Sequence, residues 1–150
     1  MAFNPKPLND LEKFILEIKN SIPTWIKEVI EQNKDVILDL QLQGQFDKGK
    51  DSEGKKLVPP YALSTRRKKR KKGQPTNRVT LKDTGKFYES VEVEVRSDEF
   101  EIKSAINYSI YLVKKYGAIF GLTPSNLEDF TKNFVVPYIK IKINDKIAES

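Results

Sequence analysis

Seven consecutive cations, Arg66-Arg67-Lys68-Lys69-Arg70-Lys71-Lys72, constrain this chain more than any other feature. Charges that close repel one another, and none is buried cheaply without an anion or hydrogen bonds beside it. The run therefore reads as extended and solvated, outside any hydrophobic core, unless something anionic meets it. Pro59 and Pro60 precede it, and Gly73, Pro75 and Asn77 follow; all are loop markers. With the polar stretch from Asp47 to Gly54, they predict a long irregular basic loop over residues 47–79. Ser64-Thr65-Arg66 is the one place in it where a short helix would begin, because Lys and Arg are good helix formers.

The run also accounts for the charge of the whole chain. The 150 residues carry 27 Lys and Arg against 21 Asp and Glu, for a net charge of +6, and without the seven cations that becomes −1. Residues 1–48 carry −2, residues 49–90 carry +9 and residues 91–150 carry −1. A near-neutral body thus carries one cationic segment. Three partners suit such a segment: nucleic-acid phosphates, an acidic protein face, or a receptor for nuclear-localisation-type patches. Its ordinary reading is a solvated loop that aids solubility. All seven side chains on duplex DNA would give a salt slope of roughly −6. No aromatic residue interleaves the run, so base stacking there is not indicated.

Composition excludes several chemistries. The chain has no Cys and no His. That removes disulfide frameworks, zinc knuckles, iron–sulfur clusters, thiol nucleophiles, His-based triads and His-ligated metals. A chain of this length buries roughly 70% of its unfolded surface and needs no cofactor to fold. Apolar runs are only a few residues long, so no membrane span is expected. Residues 1–20 are helical in pattern rather than signal-like.

Residues 1–7, with Pro5 and Pro7, read as a loose arm. Leu8, Leu11, Phe14, Ile15, Ile18 and Ile22 recur at helical spacing, with Asn9 or Asp10 as cap. Ser21 and Pro23 read as a restart, with Pro in a first turn. A second helix carries Ile26, Val29, Ile30, Ile37 and Leu40 and runs to about Phe46, with Asn33 interrupting its stripe. Leu81 to Val91 reads as a short helix capped by Asp83 or Thr84. Val91 to Val95 and Phe100 to Lys103 alternate as a β-hairpin around Ser97-Asp98-Glu99. Tyr108 to Tyr116 is a helix stopped by Gly117. A further helix opens at Thr123 and is interrupted by Pro137. Tyr138 to Ile143 fits either a last strand or a helix end.

Two constellations invite a metal. Asp83 with Glu101-Ile102-Lys103 matches the acidic-x-Lys pattern of magnesium nucleases, in which carboxylates hold the ion and Lys orients water. Outward Glu and Lys on a half-exposed strand are the ordinary case in a chain that is 32% charged. Asp47, Asp51 and Glu53 around Gly49 faintly resemble a calcium loop, but the twelve-residue pattern and its terminal Glu are missing. Tyr108, Tyr111 and Tyr116 read as core or interface aromatics.

The order of pieces carries more than any one of them. A helix ends in Gln41-Leu42-Gln43-Gly44-Gln45-Phe46. A Gly-containing loop and the basic segment follow, then Leu81-Lys82-Asp83-Thr84-Gly85, then Ser90-Val91 and the hairpin. Tyr108, Tyr116-Gly117 and Phe120-Gly121-Leu122 come before the closing helix. This order resembles the tailed-phage virion-morphogenesis or tail-completion (head–tail joining) family over residues 36–135. Leu81, Thr84, Gly85, Ser90, Tyr108, Gly117, Phe120, Gly121 and Leu122 carry the resemblance. Ala118-Ile119 stand where the family often has a Pro-Arg pair, and residues 8–20 lie outside the match. The resemblance implies a non-enzymatic virion part without cofactor or catalytic residues, assembled as a ring of copies at the neck or tail. Its partners would be portal, connector or tail-tube proteins, and DNA in the channel is a further candidate. The basic segment Arg66 to Lys72 would then contact DNA or an acidic neighbour.

The sequence as a whole predicts one α+β domain over residues 1–150. N-terminal helices pack on a small antiparallel sheet, with C-terminal helices beside it and a long basic loop. A small nucleic-acid-binding protein acting through residues 66–72 is the alternative function.

Overall fold

The computed structural model of the chain describes residues 9–149. The loose arm expected over residues 1–7 lies outside the described residues. Helix α1 spans Asp10–Gln32, and its cap is Asn9, whose side chain accepts from the Glu12 N–H at 2.8 Å. No restart occurs at Ser21: its hydroxyl donates to the Glu17 carbonyl at 2.8 Å, and Pro23 sits inside the helix at an exposed position. The break falls instead at Asn33, which leaves helical geometry (φ −125°) while its amide donates to the Val29 carbonyl at 2.7 Å. Helix α2, Lys34–Gln41, follows and opens into a π turn, Leu42–Phe46.

The expected loop over residues 47–79 is not irregular throughout. Its first part is a tight turn, in which the Asp51 carboxylate accepts the N–H groups of Glu53 and Lys55, both at 2.9 Å. Asp51 is thus used by the turn itself, and Lys55 pairs with Glu53 at 2.8 Å. The cationic run itself is helical: α3 spans Leu63–Lys71. Helix formation solves the repulsion problem in part. Four cations lie in the last turn, where the helix dipole is negative. Gly73 (φ +70°) then closes the helix, with Gln74 N–H on the Lys69 carbonyl at 2.9 Å and Gly73 N–H on the Arg70 carbonyl at 3.1 Å.

The helix expected from Leu81 to Val91 is shorter: α4 is Lys86–Ser90. The Lys82 and Asp83 carbonyls accept from the Lys69 amine and the Gln74 amide, both at 2.7 Å. With those acceptors committed to α3 and its closing turn, the segment cannot wind into a helix. Leu81 is left at φ +59°, and Gly85 at φ +92° starts α4.

β1 (Val91–Arg96) and β2 (Glu99–Ser104) pair antiparallel, with Val93 opposite Ile102 and Arg96 opposite Glu99. The turn is therefore Ser97-Asp98 alone, and Glu99 belongs to the strand. Helix α5 (Ser109–Tyr116) ends at Gly117 (φ +83°). Helix α6 (Pro124–Phe130) is capped by Thr123, whose hydroxyl accepts from Asn126 N–H at 3.1 Å. A π turn, Thr131–Val135, leads into α7, Val136–Glu149. Pro137 does not stop this helix, because the wide turn just before it relieves the clash of the ring with the carbonyl four residues earlier. The possible last strand at Tyr138 to Ile143 lies within α7, where the Tyr138 hydroxyl donates to Glu28 of α1 at 2.7 Å.

The fold is α+β. Helices α1 and α2 pack on β1, and α7 lies along α1. The core gathers Ile37, Phe46, Leu57, Val79, Phe87, Ile119 and Phe130, all nearly inaccessible. Phe46 is its hub, with ring centroids 5.7 Å from Phe87, 6.0 Å from Tyr88 and 6.1 Å from Phe120. Two tyrosines clasp the buried Thr80 backbone: Tyr61 accepts its N–H at 3.0 Å, and Tyr88 donates to its carbonyl at 2.5 Å. Burial pushes the Tyr88 hydroxyl's pKa up, so it remains a donor. Tyr88→Phe should therefore cost about 1.5 kcal/mol by stranding that carbonyl. A urea melt unchanged from the parent would refute this.

Candidate functional site

The basic helix sorts its own cations. Taking 100° per residue, Lys69 points opposite to Arg67 and Lys71, with Lys68 and Arg70 at the flanks. Lys69 is the inward one, at 7% exposure. Its amine donates to the Lys82 carbonyl and sits 4.7 Å from the centre of the Tyr61 ring. Lys72 pairs with Asp83 at 2.6 Å, which holds that carboxyl below its usual range. Arg66, Arg67, Lys68, Arg70 and Lys71 are exposed and have no ion-pair partner among the described residues. Five of the seven cations are thus exposed and without an ion-pair partner among the described residues.

Beneath α3 lies a cleft of about 430 Å³. Its walls include Tyr61, Leu81, Phe87 and Leu112, and Lys69, Lys82 and Lys86 stand around it. Leu81, Thr84, Gly85 and Tyr108, four of the residues behind the family resemblance, line it too. Each of the others has a structural task. The Ser90 hydroxyl donates to the Phe87 carbonyl and meets Ser104 Oγ, both at 2.6 Å. Gly117 ends α5 at a positive φ of 83°. The Phe120 ring packs on Phe46 and Phe87, and Leu122 is half-buried against the core.

Gly121 belongs to a clamp that sequence reasoning missed. Gln41 and Gln45 are buried on consecutive turns of one helix face. Gln41 donates to the Ile119 carbonyl at 3.2 Å and accepts the Gly121 N–H at 2.8 Å. Gln45 donates to the Gly121 carbonyl at 2.8 Å and accepts from Thr123 N–H and the Asn126 amide, both at 2.9 Å. The two amides thereby act as a substitute strand edge for Ile119–Thr123. The available signal was two glutamines four residues apart on an otherwise apolar stripe.

The suspected nuclease residues are each engaged elsewhere. Asp83 is held by Lys72. Glu101 meets Arg96 at 3.1 Å, and Lys103 bonds Glu94 across the outer face of the hairpin. Among the described residues no group of three or more carboxylates is placed to hold a metal ion. None of their helices is long and apolar enough to cross a membrane.

Lys103 and Arg96 together hold the Glu94 carboxyl at a pKa of about 2. The contribution of these pairs is complete above the ordinary Glu value near 4.5 and is lost as pH falls through about 2. An NMR titration should place the Glu94 midpoint well below the ordinary Glu value. A midpoint in the ordinary range would mean that the pairs do not persist in solution.

Of the two readings of Tyr111, core or interface, its position excludes the core. It is 72% exposed on α5, beside Ile110 at 62%. Leu11, Ile15 and Leu16 on α1 and Ile141 on α7 are likewise exposed. Comparisons with protein-family models, with curated proteins and with solved structures returned no match.

Proposed function

We propose that this chain is a structural, non-enzymatic virion protein of a tailed phage, a tail-completion or head–tail joining component. It works as a ring of copies between portal or connector and tail. The observation that carries the assembly role is the apolar surface left uncovered on α1, α5 and α7. Scattered single apolar residues on a surface need no explanation, but grouped ones on a helix face mark an interaction site. The order of motifs from Gln41 to Leu122 supports the placement in a virion. Two measurements test the reading. Purified virions should contain several copies of the chain by mass spectrometry, and the isolated protein should form discrete oligomers in native mass spectrometry. A strict monomer absent from virions would sink the proposal.

A second reading is favoured by the unpaired cations of α3. Five exposed cations on one helix suit a duplex backbone, and the near-neutral remainder of the chain does not oppose it. In a ring, such a helix would line a DNA channel. Outside one, it would make the chain a small nucleic-acid-binding protein. Its test is the salt dependence of duplex binding.

A further inference from the structure

We infer that copies of this chain join head to tail, with the outer face of α5 of one copy seated in the groove between α1 and α6 of the next. The inference rests on the assembly role proposed above and names the two surfaces that would meet. The groove has a volume of about 520 Å³, the size of an ordinary binding pocket. Ile26 and Ile30 of α1 form one wall, and Leu127 and Phe130 of α6 form the other. Asp98 and Glu99, at the hairpin turn, line its edge, and no cation does. Among the described residues neither acid is within ion-pair distance of a cation, although Arg96 stands opposite Glu99 in the hairpin and attracts it.

The outer face of α5 is the complement. Ile110 and Tyr111 are exposed there, about 100° apart around the helix with Lys114 between them. Lys114 and Lys115 follow them, and the helix contains no acidic residue. Docking would bury Ile110 and Tyr111 in an apolar groove and bring Lys114 and Lys115 toward Asp98 and Glu99, so polarity and charge agree. The exposed pair Leu11 and Ile15 on α1 is flanked by Asp10 and Glu12. Those share the sign of the acids at the groove and would be repelled. No α5 residue lines the groove. The two surfaces therefore differ, the contact is not self-complementary, and repeating it generates a ring or an open filament.

The test uses one variant on each surface. Tyr111→Glu spoils the α5 face and leaves the groove intact; Leu127→Glu spoils the groove and leaves the α5 face intact. Both positions are exposed, so folding should survive, and a thermal melt checks it. The parent should form oligomers in native mass spectrometry. Each variant alone should associate at least ~30-fold more weakly, the size of a hot-spot loss. Mixed one to one, they should form a dimer and stop there, because one good junction remains. Variants that assemble as the parent does would overturn the inference and leave the assembly proposal standing. A mixture that stays monomeric would overturn it in favour of a self-complementary contact. A parent that is monomeric at every concentration would overturn it outright, and the virion copy count then decides the assembly proposal separately. If Leu127→Glu does not fold, a second experiment decides. The chain has no cysteine, so the double variant Tyr111→Cys, Leu127→Cys should give a ladder of disulfide-linked oligomers on oxidation. No ladder would overturn the inference.

Discussion

Gln45→Leu should lose about 4 kcal/mol of stability, although Leu matches Gln in size and favours helix as much. The loss is polar. In the parent, one amide serves the Gly121 carbonyl, the Thr123 N–H and the Asn126 side chain. Leu removes the partner of all three and leaves the buried Thr123 N–H and the half-buried Gly121 carbonyl unpaired, at about 1–3 kcal/mol each. For a chain of this size the melting temperature should fall by roughly 8–16 °C. Gln45→Glu separates the two halves of the clamp. It keeps the acceptor for Thr123 but loses the donor to Gly121, and it adds a buried charge, so it should be no better than Leu. The cycle Gln45→Leu with Asn126→Ala should be clearly non-additive, because Asn126 donates to the same oxygen. A Gln45→Leu variant within about 1 kcal/mol of the parent would show that the clamp does not hold Ile119–Thr123.

That clamp also marks where the sequence stops being legible. Apolar period reports which face of an element is buried, so α1, α2 and the hairpin were readable from Ile30, Ile37, Val93 and Ile102. Caps are local, so Asn9 and Thr123 were readable too. The failures have two sources, local relief at a proline and a partner distant in sequence. Pro23 and Pro137 look like breaks, yet the first lies at an exposed position and the second follows a π turn. Leu81 to Gly85 has a helical pattern, but Lys69 and Gln74 occupy its carbonyls from 9 to 13 residues away. Gln41 and Gln45 look like surface residues of an amphipathic helix, and only the returning chain, 76 to 81 residues later, gives them work. For the candidate site, the cationic run was plain in the sequence but its conformation was not. Repulsion argues for an extended run. The helix dipole, the Gly73 closure and the burial of Lys69 over Tyr61 outweigh it.

Helical geometry changes what the run should do to a duplex. If all seven cations met phosphates, the salt slope would be roughly −6. Lys69 is turned inward and Lys72 is committed to Asp83, so five remain and the slope should be about −4.5. Between 50 and 200 mM salt, duplex DNA affinity should then fall on the order of 500-fold. Replacing Arg66, Arg67, Lys68, Arg70 and Lys71 with Gln should flatten the slope to about zero and remove the binding. Lys69→Gln is the informative control. It should lower the melting temperature, because the Lys82 carbonyl loses its donor, and leave the slope nearly unchanged. The two variants thus separate a cation that supports the fold from cations that face a partner. A parent slope shallower than about −1 would reject duplex DNA as the partner of α3. An acidic protein surface would then be the next partner to test, because its contacts are also screened by salt but do not follow the counterion-release law of a duplex.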